Sequence, residues 1–228
     1  MTLKFELPAP GNADLGASDT LWGTYYYVHP AKGLSSGGVP LRTKNGVQLG
    51  APVSQKDWCL GAMEGTIIVS QPDGSTMTLN YESKGDTQEI QCGVYFPNVG
   101  DAVIAGTERV RWRKSKGPFG EGSNGFVLVP FRSWAVDRTR IPLGTALYVE
   151  EARGVQITLP DGKKVKHDGY FFAADVGGLI KQNHIDSYHG VGKQNPFSFI
   201  KSKPEGTFTA RIVKRASTIA FLKAEHTA

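Results

Sequence analysis

Apolar residues come in short runs broken by Gly, Pro, Asp and Asn, which is the pattern of successive strands and not of long helices. After an irregular arm reaching about Ser18, "TLWGTYYYV" (residues 20–28) predicts a first strand. "SQKDWCLGAM" predicts a short helix with Ser54 as its cap and Asp57 in the first turn. "GTIIVS", "TMTLNY" and "EIQCGVYF" predict three further strands, the first two joined by a turn at Pro72–Gly74. "FVLVPFRSWAVD" predicts a strand or strand pair ending in Asp137, and "RIPLGTALYVEE" a turn and another strand. "VQITLPDGKKVKHDGYFF" predicts a second hairpin, and "GTFTARIV" a closing strand with Phe208, Ala210 and Ile212 alternating with polar neighbours. The expected fold is therefore mainly β.

Three aspartates end or follow such runs. "GYFFAAD" reads as a buried strand delivering Asp175 at its end, and the following "VGG" turns the chain. "LIKQNHID" reads as short and helical, returning the chain so that Asp186 approaches Asp175. With Asp137 upstream, three acids reach one end of a small barrel, where desolvation and like-charge repulsion raise at least one pKa. Each acid also has a plain structural reading. Asp137 before "RTRIPLG" is a natural turn cap, and Asp175 can cap "GGLIK".

Composition narrows the chemistry. The chain has 228 residues, enough for one domain or two small ones, and its 28 Gly and 13 Pro suit a β-rich fold. No apolar run reaches about 18 residues, so no membrane span is expected. The N-terminus "MTLKFELPAPGNADLG" lacks the apolar core of a signal peptide, which leaves export by a removed signal or by secretion or phage machinery.

A net charge of +5 steers the chain toward anionic polymers such as those of a cell wall, or serves solubility alone. "RVRWRKSKG" (residues 109–117) places cations around Trp112 and reads as a solvated loop or hairpin, or a glycan contact, in preference to a nucleic-acid surface. Cys59 and Cys92 form either one disulfide or two buried thiols. Their spacing is not CxxC, no His stands at a metal interval from them, and no phosphate loop is present, so neither metal nor cofactor is expected. His184 and His189 flank Asp186 without further ligands nearby and read as surface or groove histidines.

"RSWAVDRTRIPLG" and "DVGGLIKQNHIDSYHG" together resemble the 3D domain family, named for its three aspartates, in the branch of the membrane-bound lytic transglycosylases A. The resemblance covers residues 126–213 and the first strand at residues 22–28, and it departs at Gln182, where the family has Gly after "IK". It implies a double-psi β-barrel interrupted by a smaller β-rich subdomain. The corresponding boundaries are an arm and first strand over residues 1–30, an insertion over 31–125 and the barrel core over 126–228. It implies non-hydrolytic cleavage of peptidoglycan glycan strands in the envelope, periplasm or extracellular space, leaving 1,6-anhydro-N-acetylmuramyl ends. Asp186 is then the acid and base, with Asp175 its neighbour and Asp137 bonding the turns of the site. Tyr25, Trp134, Lys181 and Tyr188 are candidate saccharide contacts. A glycan hydrolase using water, or a non-catalytic wall-binding barrel of expansin type, are the alternatives.

Overall fold

The computed structural model describes residues 3–227. In chain order its strands and helices begin with β1 (Leu15–Lys32), α1 (Gln55–Glu64), β2 (Thr66–Ser70), β3 (Thr76–Lys84), α2 (Asp101–Thr107) and β4 (Val110–Lys114). There follow β5 (Ser133–Ala135), β6 (Ala146–Tyr148), β7 (Gln156–Thr158), β8 (Lys164–Lys166), β9 (Tyr170–Asp175), β10 (His184–Val191), β11 (Thr207–Val213) and α3 (Ala216–Glu225). The described residues fall into two compact units, one running up to Tyr27 and resuming at Glu121, the other Val28–Gly120.

The first unit is a closed barrel of six strands in the order β10-β5-β9-β6-β11-β1, with β1 returning to β10. The unbroken apolar run of β9 has a simple cause: both its faces are covered. Phe171 and Ala173 join the barrel core with Trp134, Leu147, Ile185, Phe197 and Phe208. Tyr170, Phe172 and Ala174 join a second layer with Ala146, Tyr148 and Leu222 of α3. Burying each such aromatic ring contributes roughly 2–3 kcal/mol over leaving it exposed.

Arg132 ties the chain ends to this barrel. Its fully buried guanidinium spans both carboxylate oxygens of Asp168 at 2.8 Å each and pairs with Glu225 of α3 at 2.9 Å. It also donates to the Lys4 carbonyl and lies 4.3 Å over the Phe5 ring, so the arm before β1 is anchored.

In the second unit, β2, β3 and β4 form an antiparallel meander, and His29–Lys32 of β1 pair parallel with β2. Ser54 caps α1 by accepting from the Asp57 amide at 3.1 Å, and Gly65 ends the helix in the left-handed region at φ 75°. Trp58 and Trp112 meet edge to face at 6.0 Å within a core that includes Leu41, Val53, Ile67 and Leu79. Cys59 of α1 is bonded to Cys92.

Four expectations are corrected. "EIQCGVYF" is not a strand: the disulfide holds Cys92 against α1, the Glu108 carboxylate takes the Cys92 amide at 2.6 Å, and residues 93–95 form a 3-10 turn. "FVLVPF" is a buried turn segment, since Phe131 adopts φ 61° and Val129 donates to the Ser133 hydroxyl. Only Ser133–Ala135 is strand. Ile212 is 42% exposed, and its neighbour Val213 is buried instead, on the opposite face of the strand in the second layer with Leu15 and Leu222. Of the loop and hairpin readings of the basic stretch, the solvated loop is the one that fails: β4 pairs antiparallel with β3 and buries Trp112 completely, and Arg111 pairs with Glu89 at 2.8 Å, which removes the aromatic face a nucleic acid would stack on.

The disulfide closes a separation of 33 residues, for which chain entropy gives about 3–4 kcal/mol of stability. Replacing both cysteines with serine is expected to lower the unfolding free energy by that amount in urea titrations followed by tryptophan fluorescence. A loss below about 1 kcal/mol would mean the bridge adds nothing to the fold.

Candidate active site

Asp175 and Asp186 come together through β5. Ala135 pairs with Asp186 of β10 on one side and with Asp175 of β9 on the other, so one small residue separates the two acids. Two strand spacings put their backbones about 10 Å apart, from which side chains converge. Asp175 ends its strand as expected. Asp186 instead lies within a strand: "LIKQNHID" makes turns up to residue 183 and then β10, with no helix.

The two-residue period of β1 and β10 sorts the surrounding side chains. Trp22, Thr24 and Tyr26 share a face with His184, Asp186 and Tyr188. Trp22 stacks on His184 at 3.7 Å, and Tyr26 packs on Tyr188 at 5.1 Å. This face is turned away from the barrel core that holds Leu21 and Ile185, so Asp186 stands on the barrel wall and not at its end.

Both carboxyl groups are partly buried, and their hydrogen-bond donors among the described residues are neutral. Asp175 accepts from the Val176 amide at 2.8 Å, the Ser123 hydroxyl at 3.0 Å and the Tyr26 hydroxyl at 3.2 Å. Burial outweighs these bonds and pushes it up to about 6. Asp186 accepts from the Thr24 hydroxyl at 2.7 Å. Burial, reinforced by the charge of Asp175, pushes it up to about 7 against that bond. An acid titrating there is part protonated at neutral pH and can give or take a proton. The same surroundings hold the Tyr26 hydroxyl well above its ordinary value, first through burial and then through both aspartates.

Gly122 makes the Ser123 contact possible: a Cβ on it would lie 2.4 Å from the Ala174 carbonyl, which accepts from the Ser123 amide at 2.9 Å.

Residues 132–196 match the model of the 3D domain family. This stretch is similar to a 3D domain. Over 74 residues it is 38% identical to the membrane-bound lytic murein transglycosylase A of Vibrio cholerae serotype O1, a stretch covering 32% of this chain and 19% of that relative. The fold is similar to E. coli MltA with bound chitohexaose, with a TM-score of 0.55 at 17% identity over 86% of this chain and 72% of that one. It is also similar to a membrane-bound lytic murein transglycosylase from Agrobacterium tumefaciens, with a TM-score of 0.52 at 14% identity over 88% and 76% of the two chains.

The remaining candidates divide. Asp137 accepts from the Thr139 amide and hydroxyl at 3.0 and 2.7 Å and from the Gln182 amide at 2.8 Å. These bonds, the Thr139 hydroxyl first, draw it down to about 2, so it is a permanently ionised clasp between two turns. The Gln182 departure falls at this clasp: its φ of 56° is the left-handed conformation that glycine adopts without strain. Trp134 is fully buried, stacked on Phe171 at 4.5 Å, and Tyr188 is fully buried against Tyr26. Neither offers a ring face to a saccharide, which corrects both assignments. Tyr25 points to the core side and stacks on His189 at 5.0 Å, while Lys181 is exposed near Asp137. Buried His189 is held neutral, pushed down to about 4 by burial. No metal-holding group of His, Cys, Asp or Glu occurs among the described residues.

Thr24, Ser123 and the hydroxyl role of Tyr26 escaped the sequence reading. The alternation Trp22–Thr24–Tyr26 was the signal for two of them. Ser123, 52 residues before its partner, had none.

The raised acids carry a stability consequence. A carboxyl titrating near 4 when unfolded and near 7 when folded stabilises the fold below pH 4, and that contribution is lost as pH rises to 7. Asp186→Asn is therefore expected to raise the melting temperature at pH 8, by about 2–4 °C per kcal/mol regained, with the gain vanishing at pH 4. Equal melting temperatures at both pH values would contradict the desolvated acid.

Proposed function

We propose that this chain is a peptidoglycan lytic transglycosylase in which Asp186 acts first as acid and then as base. The observation that carries the proposal is a carboxyl group pushed up to about 7 beside a second one pushed up to about 6. The 3D domain match and the similarity to lytic transglycosylases support the choice of substrate.

Protonated Asp186 gives its proton to the oxygen of the β-1,4 bond between N-acetylmuramic acid and N-acetylglucosamine as the bond to the muramyl C1 breaks. The resulting carboxylate takes the proton of the muramyl C6 hydroxyl, whose oxygen closes onto C1. No water is consumed, the product is a 1,6-anhydro ring, and Asp186 ends protonated. Asp175 keeps its neighbour in the acid form before the first step. Lys181, exposed on the turn before β10, is suited to the carboxylates of muramyl substituents, and Tyr25 supports the wall on which Asp186 stands. The site of action is the cell envelope or the space outside it, where a Cys59–Cys92 bridge persists.

Incubation with purified peptidoglycan is expected to release muropeptides one water lighter than hydrolytic products, read by mass spectrometry. Asp186→Asn is expected to slow release by at least about 100-fold. Ordinary reducing ends would make the chain a hydrolase. Wall binding without any fragment would make it a non-catalytic module.

A further inference from the structure

His184 is absorbed by no step above, yet its ring is built into the site. It stacks on Trp22 at 3.7 Å with planes 4° apart, which fixes its orientation, and its Nε2 lies 2.9 Å from Thr24 Oγ1. The same oxygen lies 2.7 Å from Asp186 Oδ1. One hydroxyl thus bridges an imidazole and the candidate acid.

A threonine hydroxyl has a single hydrogen, so of these two bonds it donates one and accepts the other. In one setting it donates to an ionised Asp186 and accepts from an Nε2–H. In the other it donates to the Nε2 lone pair and accepts from a protonated Asp186. Passing from the second to the first with the ring's other nitrogen unchanged moves one proton from carboxyl to imidazole and changes no covalent heavy-atom bond.

We propose that His184 is a positioning residue that acts on Asp186 through Thr24, holding the carboxyl group in the protonated form that the first step needs. The proposal rests on Asp186 being the acid. The backbone at Leu179 bonds the ring, and with Nε2 at Thr24 this engages Nδ1 as the donor. A neutral ring with its hydrogen on Nδ1 presents only a lone pair to Thr24, which commits the hydroxyl hydrogen to His184 and leaves Asp186 to donate. Burial favours that neutral ring by holding His184 below its ordinary value. The other groups facing Asp186 are Asp175, Tyr26 and Tyr188, the first of which favours the same protonated form.

The test is the pH profile of peptidoglycan cleavage, about pH 4 to 9, for the wild type and four variants. His184→Phe keeps a ring on Trp22 and frees the Thr24 hydrogen for the carboxylate, so the alkaline limb is expected to move down by about one pH unit. Thr24→Val removes the oxygen to which protonated Asp186 donates, so its limb is also expected to move down, by up to about one unit, whereas a limb that moves up would show Thr24 donating to the carboxylate and would overturn the relay. Thr24→Ser restores the bridge and the wild-type limb. Limbs that stay in place in both His184→Phe and Thr24→Val, while Asp186→Asn is inactive and folded by circular dichroism, would overturn the relay and leave the acid assignment standing. An active Asp186→Asn would overturn the acid assignment and the relay with it.

Discussion

Desolvation without a compensating cation is the constraint on which this site depends. Four aspartates in the barrel unit show why. Asp168 is more deeply buried than either site acid, yet it is held below the ordinary range because Arg132 meets both its oxygens. Asp137 is drawn down by three hydrogen bonds at the surface. Asp175 and Asp186 receive only hydroxyls and one backbone amide, all neutral, and burial prevails over them. The same side chain is thus an anchor, a clasp or a proton carrier according to what faces it.

The rest of the fold serves that balance. Closure of β1 onto β10 sets Thr24 against Asp186 and Tyr26 toward Asp175, and β5 sets the acids on either side of Ala135. Arg132, two residues before Trp134 on the way into β5, gathers the arm, the Asp168 turn and α3. The Asp137 clasp joins the turn after β5 to the turn before β10, the two segments that set the height of Asp186 against its neighbours. Gln182 bears the clasp through its backbone amide at a φ of 56°, a left-handed conformation that costs a residue other than glycine some strain.

What the sequence made legible follows from how local each signal is. Ser54 and Asp57, Pro72–Gly74, and the run ending in Asp175 are set by neighbours in the chain, and each was read correctly. "LIKQNHID" misled because its helical look is overruled by pairing with β5, and "EIQCGVYF" because a disulfide and the Glu108 carboxylate replaced a strand ladder. Trp134 and Tyr188 were aromatic near the motif but face the core or another ring, a distinction only the strand phase decides. The pairing of Asp186 with Thr24, 162 residues apart, is a property of barrel closure that local pattern does not carry.

The most direct test of the account is the titration of the aspartate side-chain carboxyls by carbon-13 NMR, assigned with Asp175→Asn and Asp186→Asn. The pair is expected to titrate with apparent values near 6 and 7, the higher one lost in Asp186→Asn. Two carboxyls titrating near 4 would contradict it, because Asp186 would then hold no proton to give at neutral pH.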